Sequence, residues 1–110
     1  MDERYDALLE KLWHAALRSE TCTAACLASD RVGELTACIR LSRDVAEICM
    51  LLVRSVKRQS ALVQPLLPTC IFICRACAEA CDKQDADYCQ QCAAACLLCS
   101  EACRSLIKGN

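Results

Sequence analysis

The sequence predicts an all-α protein, an antiparallel up-down four-helix bundle with a cysteine-lined core, and three observations lead to this prediction. The 110 residues include only two glycines and two prolines, so few positions interrupt a helix. Apolar residues recur at the three- and four-residue steps of a helix, and no useful stretch alternates with the period of two that strands require. The thirteen cysteines follow the same helical steps. A chain of this length is expected to form a single domain, residues 1–110.

Turn and cap residues divide the first half of the chain into two helices. The first helix is predicted from about Asp2 to Ala28. A turn follows at Ser29–Gly33, in which Ser29 or Asp30 can act as the N-cap of the second helix. The second helix is predicted to end near Lys57, because a less regular stretch follows it.

Two prolines precede the cysteine-rich second half. Pro65 and Pro68 either kink the third helix or place its start near Pro68, and the helix is predicted to end around 82–85. Short links between all four helices favour the up-down-up-down arrangement.

The fourth helix has candidate signals at both ends. Asp85 or Asp87 can cap its start, and the helix is predicted to run to about Ile107, where Gly109 closes it.

The charge and the N-terminus limit the classes of partner and the compartment. Lys and Arg number 13 and Asp and Glu 14, so the net charge of -1 argues against nucleic-acid binding. Met1–Asp6 shows no export signal, and the longest apolar run, Ile48–Val53, is far shorter than the ~20 residues of a membrane helix. A cytoplasmic protein with no membrane contact is therefore expected, and its thiols would be reduced. The odd number of cysteines also prevents complete internal pairing.

Nine cysteines form two rows on the third and fourth helices. Their steps of three and four place thiols at the inward positions that leucine usually occupies in a bundle. Side chains at these spacings have Cβ atoms ~5–6 Å apart, so two thiolates can hold one ion. The rows are Cys70, Cys74, Cys77 and Cys81, and then Cys89, Cys92, Cys96, Cys99 and Cys103.

The first two helices carry fewer thiols on the same inward seam. The first has Cys22 and Cys26, preceded by Tyr5, Leu8, Leu12, Ala15 and Ser19. The second has Cys38 and Cys49, among Leu35, Leu41 or Ser42, Val45, Leu52 and Val56. Antiparallel helices would gather seven thiols at one end, namely Cys22, Cys26, Cys38, Cys77, Cys81, Cys89 and Cys92. The other end would keep Cys70, Cys99 and Cys103, opposite leucines.

All thirteen cysteines are candidate metal ligands. Packing alone is an alternative for Cys38 and Cys49, but a long seam of unliganded thiols would underfill the core. Thiolates select Cu(I), Zn(II) or iron–sulfur clusters. Several Cu(I) ions suit continuous rows best, because Cu(I) accepts two or three thiolates and bridges. An iron–sulfur or zinc-binding redox or sensor protein using the same cysteines is the alternative. No nucleophile, base or phosphate loop indicates an enzyme.

The double row from Cys70 to Cys103 resembles the bacterial copper storage proteins. Cys38-Ile39-Arg40-Leu41 and Cys89-Gln90-Gln91-Cys92 are similar to segments of their cytosolic branch. The resemblance covers nearly the whole chain. It implies a four-helix bundle that holds Cu(I) on thiolates along its inside, a storage or buffering role without catalysis, and a homotetramer.

The sequence departs from this family pattern at three places. Further cysteines would be expected on the first helix, where Leu8, Leu12, Ala15 and Ser19 stand, and at Val45 and Leu67. Histidines near the start of the fourth helix are replaced by Gln84, Ala86 and Tyr88. We therefore expect copper to load mainly at the end that carries Cys22, Cys26 and Cys81.

Three features lie outside the cysteine seam. His14 is expected at the surface and Met50 is expected to fill a gap rather than bind copper. An apolar stripe indicates either a subunit contact or ordinary coverage of the core. It consists of Leu9, Trp13 and Leu17, with Ile71 and Phe72 on the third helix.

Overall fold

The computed structural model describes residues 3–109, and within that range the chain forms four α-helices and no β-strand. The all-α prediction is confirmed. Asp2, the predicted start of the first helix, lies outside the described residues. The helices are α1 Glu3–Ala28, α2 Thr36–Lys57, α3 Val63–Asp82 and α4 Asp87–Arg104.

The four helices pack as a bundle in which each has two main neighbours. α1 and α3 each pack against both α2 and α4, whereas α2 and α4 touch only slightly across the diagonal. At one end, the Gln64 amide donates to the Tyr5 hydroxyl (3.4 Å) and to the Leu106 carbonyl (2.9 Å). At the other end, Cys22 of α1 meets Cys89 of α4. Consecutive helices therefore run in opposite directions, which confirms the up-down bundle, and its extents are 45 × 24 × 18 Å.

The link between α1 and α2 differs from the predicted simple turn. A 3-10 turn, Val32–Glu34, is inserted, so α2 begins at Thr36 and neither Ser29 nor Asp30 caps it. Ser29 Oγ instead accepts a hydrogen bond from the Arg31 N–H (3.0 Å). The N-cap prediction was wrong because a local side-chain turn uses the same hydroxyl.

α3 begins ahead of both prolines, so a start near Pro68 was also wrong. The Leu66 N–H already donates to the Leu62 carbonyl (3.0 Å). Pro65 lies in the first turn, where a helix leaves N–H groups unpaired and the missing donor costs little. Pro68 lies inside the helix, where it removes one backbone donor.

Both ends of α4 differ from the prediction. Neither Asp85 nor Asp87 makes a side-chain cap bond, and Asp87 instead lies in the first turn, near the positive end of the helix dipole. α4 ends at Arg104, and Gly109, with φ 86°, lies beyond a further turn and does not close it. After Arg104 the chain continues in a turn, in which the Leu106 N–H donates to the Cys103 carbonyl (3.1 Å) and the Leu106 side chain is 8% exposed.

The bundle interior has two chemically different halves. Towards the α1–α2 and α3–α4 links it is lined by thiols. Towards the opposite end, where Cys103 is the last thiol of α4, hydrocarbon predominates, and all of these residues are buried: Leu8, Leu12, Leu52, Val56, Val63, Leu67 and Leu106. Because these side chains pack against one another, the hydrocarbon half stabilises the fold without any ion.

No helix within residues 3–109 is long and apolar enough to cross a membrane.

Gln64→Ala is expected to lower the free energy of unfolding by about 1–3 kcal/mol, because each of two hydrogen bonds contributes about 0.5–1.5 kcal/mol. The Gln64 side chain bonds the Leu106 carbonyl (2.9 Å) and the Lys108 N–H (3.0 Å), which holds the C-terminal segment over the hydrocarbon end. Urea unfolding of the reduced, copper-free protein measures the change. Gln91→Ala, which removes an exposed bond from Arg18, is the control and should cost under about 0.5 kcal/mol. Equal losses for the two variants would contradict this role of Gln64.

Candidate metal centre

All thirteen cysteines are free thiols buried in the bundle. Cys38 is 1% exposed and the other twelve are 0% exposed. The helical steps explain this burial, since residues three and four apart share one face of a helix. Every predicted ligand therefore points into the interior.

The sulfurs form four clusters in which all Sγ atoms lie within 4.8 Å of one another. The largest, here called the central quartet, consists of Cys49, Cys70, Cys74 and Cys99. The others contain three thiols each and share members, so we call them together the three-thiol network. They are Cys22, Cys26 and Cys89; Cys22, Cys81 and Cys92; and Cys77, Cys92 and Cys96.

Neighbouring sulfurs within these clusters are 3.8–3.9 Å apart. In the network the distances are 3.9 Å for Cys22–Cys26, 3.8 Å for Cys77–Cys81 and 3.9 Å for Cys77–Cys92. In the quartet they are 3.9 Å for Cys70–Cys74 and 3.9 Å for Cys49–Cys99. Metal–thiolate bonds of about 2.3 Å place two ligand sulfurs about 3.8–4.6 Å apart, depending on the angle at the metal. The thiols are therefore already spaced for ions to lie between them.

The seven thiols predicted to share one end do come together. Six belong to the three-thiol network, and the seventh, Cys38, lies beside Cys81 and Cys89 and donates to the Ala80 carbonyl (3.5 Å). The structure adds Cys96 to the network, which the sequence did not predict.

The other predicted group is larger than the sequence indicated. Cys70 and Cys99 join Cys49 and Cys74 in the quartet, and Cys103 lies beside Cys70 and Cys99. Cys49, for which packing alone was an alternative, is thus one of four clustered thiols.

Two buried serines belong to the thiol half of the interior and were not predicted as site residues. Ser19 Oγ lies 3.6 Å from Cys92 Sγ, and Ser42 lies next to Cys22 while its hydroxyl donates to the Cys38 carbonyl. Both serines are 0% exposed. The only signal in the sequence that could have identified these serines was a hydroxyl at an inward position of the helical repeat, close to cysteines.

Burial keeps the thiols at the edge of the network protonated. Desolvation raises the pKa of Cys38, and desolvation together with the neighbouring Cys26 raises the pKa of Cys89 to about 12. Hydrogen bonds from Cys22 and Cys77 lower the pKa of Cys92. Metal ions bind thiolates, so loading must release protons and binding must strengthen as the pH rises.

The raised pKa of Cys89 implies that the copper-free protein becomes less stable in alkali. A thiol with a higher pKa in the folded chain stabilises the fold below its unfolded pKa, and this is lost as the pH rises through the folded value. For Cys89 the window runs from the ordinary pKa of 9.0 to about 12. Denaturant unfolding of the reduced protein across this window should show the decline. Cys89→Ser, which does not titrate there, should decline less steeply, and an unchanged slope would refute the assignment.

The residues outside the seam lie at or near the surface. His14 is exposed, and the half-buried Met50 lines a groove with Trp13 and Leu17. Trp13 is 48% and Phe72 74% exposed.

A four-helix bundle whose interior carries connected clusters of reduced thiols defines a protein that binds several soft metal ions, not a single structural site. The family model for copper storage proteins matches residues 1–108, and the chain belongs to this family.

Individual relatives agree over nearly the full chain. The chain is 36% identical to the cysteine-rich protein YhjQ of Bacillus subtilis strain 168 over 106 residues, 96% of this chain and 98% of the relative. It is similar to the Cu(I)-bound copper storage protein BsCsp3, with 36% identity, a TM-score of 0.90 and coverage of 94% of this chain and 97% of that one. A cytosolic copper storage protein from Streptomyces lividans with five coppers is 29% identical, with a TM-score of 0.92 and coverage of 98% and 95%.

Proposed function

We propose that this protein stores several Cu(I) ions on thiolates along the inside of its bundle and acts as a copper buffer without catalysis. The observation that carries the proposal is the set of thiol clusters that share members, Cys22 and Cys92 each belonging to two. Shared ligands suit an ion that bridges thiolates, because one sulfur can then serve two ions. The ligands proposed are all thirteen cysteines, with Cys38 and Cys103 completing the run of sulfurs beyond the clusters.

Copper explains the spacing better than an iron–sulfur cluster does. An iron–sulfur cluster places several irons and sulfides between its thiolates, whereas the sulfurs in each cluster here approach within 4.8 Å of one another. Three-thiol groups also satisfy Cu(I) fully, while they leave one position of a tetrahedral zinc site empty. Relatives described as Cu(I)-bound, or as holding five coppers, support the same ion.

The cytosol is the proposed location, since the Streptomyces lividans relative is described as a cytosolic copper storage protein. A reducing compartment also keeps the thiols available for Cu(I). A homotetramer is proposed from the family resemblance. The exposed apolar residues Trp13, Leu17, Phe72 and Leu97 support a subunit contact, because apolar surface of this kind is usually covered by a partner.

Copper is proposed to enter at the end formed by the α1–α2 and α3–α4 links. Cys26, Cys38 and Cys89 lie nearest that end, and the path inward continues through Cys22 and Cys92 towards the quartet. At the opposite end, the buried Leu8 and Leu106 offer no ligand, and Gln64 holds the C-terminal segment there through the Leu106 carbonyl.

Anaerobic titration of the reduced protein with Cu(I), in competition with a chromophoric chelator, tests the storage role. We expect saturation at roughly ten ions, since bridging allows nearly one ion per sulfur. His14→Ala, which changes an exposed residue, should leave this capacity unchanged. Saturation at one or two ions would overturn the proposal.

A further inference from the structure

The central quartet differs from the other thiol clusters in ligand number. It is the one cluster in residues 3–109 where four sulfurs, and not three, lie within 4.8 Å of one another. α2 supplies Cys49, α3 supplies Cys70 and Cys74, and α4 supplies Cys99. Four convergent thiols are the ligand set of a closed tetrahedral zinc site.

The distances within the quartet also match zinc. With Zn–S bonds of about 2.3 Å, the sulfurs of a regular tetrahedron lie about 3.8 Å apart. The distances are 3.9 Å for Cys70–Cys74 and 3.9 Å for Cys49–Cys99, and every other pair lies within 4.8 Å. A zinc ion therefore needs only small side-chain movements to reach all four sulfurs.

The surroundings of the quartet can support the charge of bound thiolates. Cys103 is a neighbour of Cys70, and Cys96 is a neighbour of Cys74. Each can donate its S–H to a metal-bound sulfur, which is how the surroundings of a metal site support its ligands. All four quartet thiols are 0% exposed, so no water can compete for the ion.

We infer that the copper-free protein binds one Zn(II) ion at the central quartet through Cys49, Cys70, Cys74 and Cys99. The ion would join α2, α3 and α4 near the middle of the bundle. The three-thiol network would take no zinc tightly, because each of its clusters leaves the fourth tetrahedral position unfilled. This site differs from copper storage in ion, in stoichiometry and in the number of thiols used, so each can fail without the other.

Zinc titration of the reduced, copper-free protein against a chromophoric zinc chelator tests the inference. We expect one tight equivalent, and Co(II) as a substitute should give the intense visible absorption of a tetrahedral tetrathiolate site. Cys99→Ser should remove the tight equivalent, while the matched variant Cys89→Ser, in the three-thiol network, should keep it. Circular dichroism shows whether each variant folds, and Cys74→Ser replaces Cys99→Ser if that variant loses helix.

Each of four results would overturn the zinc site: no tight equivalent, several equal equivalents, a tight equivalent that survives Cys99→Ser, or a tight equivalent that is lost in Cys89→Ser. An octahedral Co(II) spectrum would do the same. Copper capacity is measured separately on the same variants. If the protein binds one Zn(II) but only one or two Cu(I), the zinc site at the central quartet is supported and the copper-storage proposal is refuted.

Discussion

Loading the reduced protein with Cu(I) is expected to raise its free energy of unfolding by more than any single substitution changes it. A site that is filled at a thousandfold excess over its dissociation constant adds about 4 kcal/mol, and several sites add more. The clusters span helices, since Cys22 of α1, Cys81 of α3 and Cys92 of α4 meet in one of them. Unfolding must therefore break metal bonds between helices.

Anaerobic denaturant unfolding of copper-free and copper-loaded protein measures this effect. The thiols of the unfolded chain also bind Cu(I), so copper stabilises the fold only by the difference between the Cu(I) affinities of the folded and unfolded chains. The folded chain binds more tightly because its thiols are already spaced 3.8–3.9 Å apart. Cys22→Ser, which removes a thiol shared by two clusters, should reduce the stabilisation more than Cys103→Ser does. Coincident unfolding curves with and without copper would show that the thiols are not arranged for metal in the folded state.

Leu12→Ala is expected to lower the stability of the copper-free protein by about 2–5 kcal/mol, the usual cost of a buried leucine. Leu12 is 0% exposed, and in the copper-free protein nothing replaces the packing that its side chain provides. Thermal or urea unfolding under reducing conditions measures the change. The matched control is Leu17→Ala on the same helix, which is 59% exposed and should cost under about 0.5 kcal/mol.

The same pair of variants separates stability from storage. Because Leu12 supplies no ligand and belongs to none of the thiol clusters, Leu12→Ala should bind as many Cu(I) ions as the unchanged protein while it remains folded. A reduced copper capacity in a folded variant would show that the two halves of the interior are coupled. A stability loss no larger than that of Leu17→Ala would show that the hydrocarbon half does not hold the bundle together.

The contrast between the halves has a physical origin. Thiols are small and leave space that ions can occupy, whereas leucine side chains fill the volume between helices themselves. Leu8, Leu12 and Leu67 are buried at inward positions, so this chain has packing there that does not depend on metal. The fold can then persist while copper is loaded and released.

Much of the site was predictable because helical spacing is local geometry. Steps of three and four placed Cys70 to Cys81 on one face of α3 and Cys89 to Cys103 on one face of α4, and all of them are buried. The same reasoning identified Cys22 and Cys26 as inward residues at the end of α1. Helix ends were less predictable. The Ser29 hydroxyl accepts a hydrogen bond within a turn and does not cap α2, and α4 ends at Arg104, before the predicted end at Ile107.

The sequence by itself determined that the protein is all helical and which face of each helix carries thiols, because both follow from spacing along one chain segment. Only the tertiary structure decided how the thiols divide into separate clusters. The position of one helix along another depends on link lengths and packing, such as the 3-10 turn that delays α2 to Thr36. That position brings Cys49 to Cys70, Cys74 and Cys99, and it joins Cys96 to the three-thiol network. The sequence period therefore determines which face of each helix carries thiols, and the packing of the bundle determines how those thiols group into clusters.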